Sequence, residues 1–203
     1  MINIEICLEN EKDFREVENL TREAFWNLYH PGCTEHFVIH KLRESSAFIK
    51  ELDFVAYHDS LIVGNIMYSK AKVLNNDGYE SEVLCMGPLS VLPSYQGKGI
   101  GSMLMKHTLR VAKDLGFNAV IIFGDPNYYN RFGFKNAEIY NIQTSMGENM
   151  EAFMALELYD GALDKVVGKF YEDEVFHVEE KDVDNFDKQF PYKEKLVTDT
   201  QLS

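Results

Sequence analysis

Three groups of residues have types and spacings that can do chemistry. Gly97, Gly99 and Gly101 alternate within Ser90 to Met105, SVLPSYQGKGIGSMLM, between an apolar run and an amphipathic segment. A glycine-rich turn that opens a helix is a ready anion site, because the first turn leaves backbone N–H groups unpaired and the helix dipole favours negative charge. The phosphate loop G-x-x-x-x-G-K-[ST] is absent, and G-x-G-x-x-G fails because Ser102 and Leu104 stand where its third glycine would fall. On spacing alone, a tight strand-to-helix turn with no ligand stays open as the alternative. His30, Cys33, His36 and His40 form the second group. His36 and His40 share a helix face at i, i+4, a spacing used by metal ligands, but the set matches no standard Cys/His module, so no metal is expected. The third group is Tyr128 and Tyr129, which diverge by about 100° if helical, so only one can face a given side.

The flanking segments say what positions these groups. Ile2 to Leu8 alternates like a half-buried strand, and Glu11 to Leu28 carries apolar residues at helical spacing. A second short helix is expected from near Thr34 after Pro31 and Gly32, and Leu52 to Tyr57 with Leu61 to Val73 reads as a hairpin. A strand from about Glu82 to Leu92 leads into the glycine loop. Beyond the loop a helix is marked by Ile100, Met103, Leu104, Val111 and Leu115, and Gly116 can end it. NAVIIFG then reads as a buried parallel strand reached by that crossover helix. Asp125 suits an N-cap, Pro126 a first helical position and Gly133 a stop. FKNAEIYNI and AFMALELY read as two more strands, Phe170 to Val178 as another, and Val183, Phe186 and Phe190 mark a last short helix. The last ten or so residues are expected to fray.

With 203 residues, a formal net charge of -13 and three widely spaced cysteines, the chain reads as a folded domain with reduced thiols. Clustered Lys and Arg supply most nonspecific nucleic-acid affinity, so a nucleic-acid partner is not expected and a cationic small partner suits the field better. No basic leader and no apolar run of membrane-spanning length are evident, which predicts a cytoplasmic protein without a membrane partner.

Gln96-Gly97-Lys98-Gly99-Ile100-Gly101 resembles the Q-x-x-G-x-G signature of the GNAT superfamily of N-acetyltransferases, and Tyr129 to Phe134, YNRFGF, resembles its Y-x-x-x-G-F landmark at the expected distance downstream. FGDPNYYNRFGF is similar to the wording of a bacterial branch of such proteins. The resemblance implies an α/β (α+β) fold with a central, twisted mixed sheet flanked by helices. It covers residues 1–159 and leaves 160–203 as an acidic C-terminal extension that packs on the domain, closes over the acceptor cleft or mediates a dimer; monomer and homodimer both remain open. It also implies acetyl-CoA as cosubstrate. The pyrophosphate would be held by the backbone N–H groups of Lys98, Gly99, Ile100, Gly101 and Ser102, with Gln96 and Gly97 also among the cofactor-binding residues. The pantetheine would run along Leu89, Ser90 and Val91, and Asn127 and Tyr129 would complete the site. Gly87-Pro88 independently suggests a break in strand pairing there.

Such a slot would move an acetyl group to a primary amine, on the charge argument one of a small cationic molecule. Tyr129 is the chosen acid for the departing thiolate, with Tyr128 its rival. Several members of the family place a Glu in the strand before the loop, but Cys85 stands at that position here and reads as a small buried residue. Glu82 on the same strand is then a candidate base through water, and Glu35 and His36 are candidates to recognise or deprotonate the amine. Solvated or capping roles for these three stay open, as do a noncatalytic acyl-CoA-binding sensor and a protein lysine or N-terminal acetyltransferase.

Overall fold

A computed structural model of the protein describes residues 3–199 and 201. Met1 and Ile2 of the expected first strand, and Thr200, Leu202 and Ser203 of the expected frayed tail, lie outside the described residues. The order is β1 (Glu5–Leu8), α1 (Phe14–Phe25), α2 (Glu35–Leu42), β2 (Phe54–His58), β3 (Leu61–Leu74), β4 (Glu80–Val91), α3 (Ile100–Asp114), β5 (Ala119–Phe123), α4 (Pro126–Tyr129), β6 (Lys135–Asn136), β7 (Ile142–Gln143), β8 (Phe153–Glu157), β9 (Gly168–Tyr171) and α5 (Glu180–Asp187). The strands form one mixed sheet in the order β1-β2-β3-β4-β5-β8-β6, with β9 bonded to β3 and β7. The β4–β5 and β7–β9 pairs are parallel, and the β1–β2, β2–β3, β3–β9, β5–β8 and β6–β8 pairs are antiparallel.

The chain divides into two compact units: Met1–Met67, Pro88–Met105 and Glu174–Ser203 form one, and Tyr68–Gly87 with Lys106–Asp173 the other. The stretch expected as a single extension from Asp160 is therefore shared, residues 160–173 belonging to the second unit and 174–203 to the first. In the first unit the apolar stripe of α1 (Val17, Leu20) and that of α2 (Ile39, Leu42) bury against Val55, Ile62 and Met67 of the hairpin. These stripes are the sequence periodicities, and burial of each such side chain contributes about 1.5–3 kcal/mol.

The second unit is built around β5, whose Ala119 to Ile122 are buried, as a strand covered on both faces requires. Here one expectation fails. FKNAEIYNI is not a continuous strand: after β6 the Asn136 side chain accepts from the Glu138 amide at 2.9 Å, a turn forms, and Asn141 adopts the left-handed conformation before β7. Local side-chain bonds to the backbone outcompete the ladder at such asparagines.

Among the described residues of the expected frayed end, several have hydrogen-bond partners in the first unit. Trp26 Nε1 and Asn27 Nδ2 donate to the Glu194 carbonyl at 3.0 and 3.1 Å, and Leu196 N donates to Asn27 Oδ1 at 3.1 Å. Thr198 Oγ1 donates to the Asn27 carbonyl at 3.1 Å, so residues 194–198 are tied to the end of α1.

Candidate functional site

In the first unit, the last turn of β4 and the loop after it bring Leu89, Ser90, Val91 and Gln96 to Ser102 together. Ser90 is fully buried, and its Oγ donates to Thr21 Oγ1 on α1 at 3.0 Å, which fixes the strand face. Leu92 N donates to the Val63 carbonyl, and Gln96 Nε2 donates to the Val91 carbonyl at 3.1 Å, closing the turn over Pro93–Tyr95. Gly97 and Gly99 have φ of +73° and +85°, and an added Cβ at either would meet nothing within 4 Å. Their requirement is therefore backbone conformation in open space, which leaves the main chain approachable by a large ligand. Among the described residues no main-chain carbonyl accepts from the amides of Ile100, Gly101 or Ser102, while Met103 N already bonds the Gly99 carbonyl at 3.0 Å. These amides stand at the head of the 15-residue α3, where backbone N–H groups and the helix dipole favour negative charge. Lys98 Nζ bonds the Ser94 carbonyl at 2.8 Å and lies 4.6 Å from the Tyr95 ring centre, so its charge is held at the loop.

Sequence reasoning missed Gly64. A Cβ there would stand 3.0 Å from Leu104 Cδ1, 3.1 Å from Ile100 Cγ2 and 3.3 Å from the Ser90 carbonyl, so a bare β3 backbone is what lets the head of α3 approach the strands. A lone glycine in a strand does signal close backbone approach.

In the second unit β4 and β5 pair at Leu84 with Val120 and at Cys85 with Ile121, and there the ladder stops. Gly87 at φ +145° and Pro88 without an N–H end it, as Gly-Pro predicts. Past β5, the Asp125 side chain accepts from the Asn127 amide at 2.9 Å and starts α4. An added Cβ on Gly124 would collide with Tyr129 Cε2, so the Tyr129 ring rests directly on the glycine backbone, edge-on to Phe134 with 5.7 Å between ring centres. Tyr128 turns elsewhere, toward Arg131 at 4.7 Å and Phe132 at 5.5 Å. Tyr68 on β3 is fully buried and shares a 2.8 Å hydrogen bond with Thr108 of α3; burial raises its phenol, as does the neighbouring Tyr129.

Glu82 is exposed, pairs with Lys70 at 3.3 Å and lines a recess of about 290 Å³ with Tyr79, Glu80, Asn118 and Leu163. That is the arrangement of a solvated strand-end carboxylate. Cys85 is buried and its thiol is pushed up by desolvation and by Glu172, whose Oε2 lies 4.0 Å from Sγ.

The reading of His36 is corrected. Its side chain is 0% exposed, enclosed in the first unit by Phe186 and Phe190 of the C-terminal segment with ring centres at 5.4 and 5.3 Å. Nδ1 lies 3.3 Å from Cys33 Sγ and Nε2 3.2 Å from Asp187 Oδ1, and burial lowers its pKa. Asp187 is itself clamped by Arg22, whose Nε and Nη2 donate at 2.6 and 3.1 Å. No amine can reach an imidazole so covered. Glu35, half-buried, accepts from the Thr34 amide at 3.0 Å as a capping residue, and burial raises its carboxyl. His40 faces Glu18 at 2.9 Å, so the i, i+4 pair has separate partners.

The chain matches the model of the acetyltransferase (GNAT) family over residues 14–134. It is 30% identical over 169 residues to the uncharacterized N-acetyltransferase YhbS of Escherichia coli (strain K12), covering 83% of this chain and 93% of that protein. A crystal structure of the Escherichia coli YhbS in complex with CoA superposes with a TM-score of 0.78 at 28% identity, over 88% of this chain and 94% of that one. A GNAT family acetyltransferase of Brucella melitensis, solved in complex with acetyl-CoA, gives a TM-score of 0.69 at 27% identity over 87% and 99% of the two chains. Loop, strand break and tyrosine thus lie on a fold shared with these proteins, and the chain belongs to the GNAT family of acetyltransferases.

Proposed function

We propose that this acyltransferase moves the acetyl group of acetyl-CoA to a primary amine of a small cationic molecule by direct attack, with Tyr129 protonating the departing thiolate. The observation that carries the proposal is the open glycine turn at the head of α3, with amides unclaimed by main-chain carbonyls. The CoA and acetyl-CoA complexes of the similar proteins support the same cosubstrate. The backbone amides of Lys98 to Ser102 would hold the pyrophosphate, and Leu89, Ser90 and Val91 the pantetheine amides. Asn127 and Tyr129 would lie toward the thioester.

The amine nitrogen attacks the thioester carbonyl carbon, the C–N bond forms and the C–S bond breaks. An ordinary amine of pKa about 10.4 must first lose a proton, which costs roughly 4.6 kcal/mol at pH 7, from 3.4 units at about 1.36 each. Main-chain N–H groups stabilise the oxyanion, and a phenol seated on a glycine backbone is well suited to meet the thiolate. Calorimetric titration with acetyl-CoA, with NADH as control, tests the site: micromolar binding is expected, reduced at least about tenfold, ~1.4 kcal/mol, in Gly99→Glu. Equal binding by the variant, or none by the folded wild type, overturns the reading.

A further inference from the structure

The amine needs a proton acceptor, and the residues first considered for that role are solvated (Glu82), capping (Glu35) or sealed (His36). The second unit holds another carboxylate. Glu172 directly follows β9, which pairs with β3 through Tyr171 and Lys72, and its Oε2 reaches to 4.0 Å from Cys85 Sγ. Cys85 with Ile121 is the last rung of the β4–β5 ladder, so the carboxylate stands where the sheet opens. Residues two apart on a strand share a face, and paired residues on neighbouring strands do as well. Cys85, Ile121 and Phe123 therefore line one face, joined by Phe153 opposite Phe123. On β9, Phe170 precedes Glu172 by two residues and its ring lies 6.3 Å from Phe123 and 5.7 Å from Phe153. Phe153 and Phe170 are buried, but Phe123 is 48% exposed. An open aromatic ring beside a half-buried carboxylate is a fitting seat for an alkylammonium group.

We propose that Glu172, delivered by the C-terminal segment, binds the acceptor's ammonium against Phe123 and takes the proton that must leave before attack. This rests on the acetyl-transfer reading above. The ammonium proton passes to the Glu172 carboxylate and then to solvent. The second N–H proton, released as the tetrahedral adduct collapses, balances the proton that Tyr129 gives to the thiolate, yielding amide and free CoA thiol. Cys85 on β4 stays a neutral thiol, its pKa held up first by burial and then by Glu172, so it does not compete for the proton. The other charged groups on β3 and β4, Lys70 with Glu82 and Lys72 with Glu80, are matched to one another.

The test compares wild type, Glu172→Gln and Glu172→Asp by thiol release with 2-phenylethylamine and spermidine from pH 6 to 10, alongside acetyl-CoA calorimetry. Glu172→Gln should bind acetyl-CoA as wild type does, lose about 10²–10³-fold in kcat/KM at pH 7, and recover as pH approaches the amine's own pKa. Glu172→Asp should keep part of the rate and the wild-type profile. Equal pH profiles in wild type and Glu172→Gln, or a uniform loss without alkaline recovery, overturn this inference alone. A wild type that binds acetyl-CoA and acetylates neither amine overturns the acceptor reading and this inference with it.

Discussion

At the scale of single residues, two glycines with little conformational peculiarity matter as much as the three in the loop. Gly124 and Gly64 are required for what lies against them: the Tyr129 ring in one case, Ile100 and Leu104 in the other. Gly124→Ala should push Tyr129 off its seat, destabilising the fold by about 1–3 kcal/mol. It should lower kcat toward the level of Tyr129→Phe, for which a loss of about 10²-fold is expected with the KM for acetyl-CoA retained. Steady-state kinetics of both variants, with urea melts of the first, check this; full activity in Gly124→Ala would mean that the ring position is immaterial. Gly97, Gly99 and Tyr129 could be picked out as candidates because each belongs to a short contiguous motif. The surroundings of Gly64 and Glu172 could not, since what they face is 26 to 40 residues away for Gly64 and 87 residues away for Glu172.

Among the elements, α5 and the tail have a larger part than an acidic, apolar-poor sequence suggests. Val183 and Phe186 of α5 are buried in the first unit, and Asp187 answers the buried Arg22. Truncating one partner of a buried ion pair leaves an uncompensated charge, which is costly. The tail depends on Asn27, which sits at φ +60° and bonds residues 194, 196 and 198. Asn27→Ala should cost about 1–3 kcal/mol and release residues 194–198, raising amide exchange at Leu196. Unchanged protection there would show that other contacts hold the segment. The helices and strands themselves were legible from periodicity and punctuation, because 3.6 and 2 residue repeats mark a buried face wherever it lies. FKNAEIYNI misled because asparagine side chains closed turns inside an apparently alternating run.

For the molecule as a whole, two buried clusters in the first unit set opposite pH limits. His36 has a lowered pKa, so the folded state binds fewer protons than the unfolded state below the ordinary histidine value of about 6.5. Stability is therefore lost as pH falls through that region. Glu9 is hydrogen-bonded to Asp53; burial first and then this neighbour raise its pKa, although Arg43 donates to it at 2.7 and 3.0 Å. Arg43 also donates to Glu18 at 3.2 Å, and with the neighbouring carboxyls of Glu9 and Asp53 sharing that one guanidinium a proton is kept above the usual carboxylate range. The folded state then binds more protons than the unfolded, and stability declines as pH rises above about 4.5. Each slope is at most about 1.4 kcal/mol per pH unit for one proton. Urea denaturation from pH 4 to 9 should show His36→Gln flattening the acid limb and Glu9→Gln the alkaline limb; an unaltered limb in either variant would remove that cluster from the account.

Local chemistry in the sequence by itself determined the glycine turn, the helix it opens, the strand break at Gly87-Pro88 and the capped tyrosine helix. Each is dictated by neighbouring residues through φ preference, missing N–H groups or repeat spacing, whereas the family was legible only as a resemblance of two motifs to known proteins. Only the tertiary structure decided which carboxylate stands at the open end of the β4–β5 ladder, that His36 is sealed beneath Phe186 and Phe190, and that the tail is tied to Asn27. Those outcomes depend on packing between segments more than 80 residues apart, where burial and charge pairing, not local propensity, choose the neighbours.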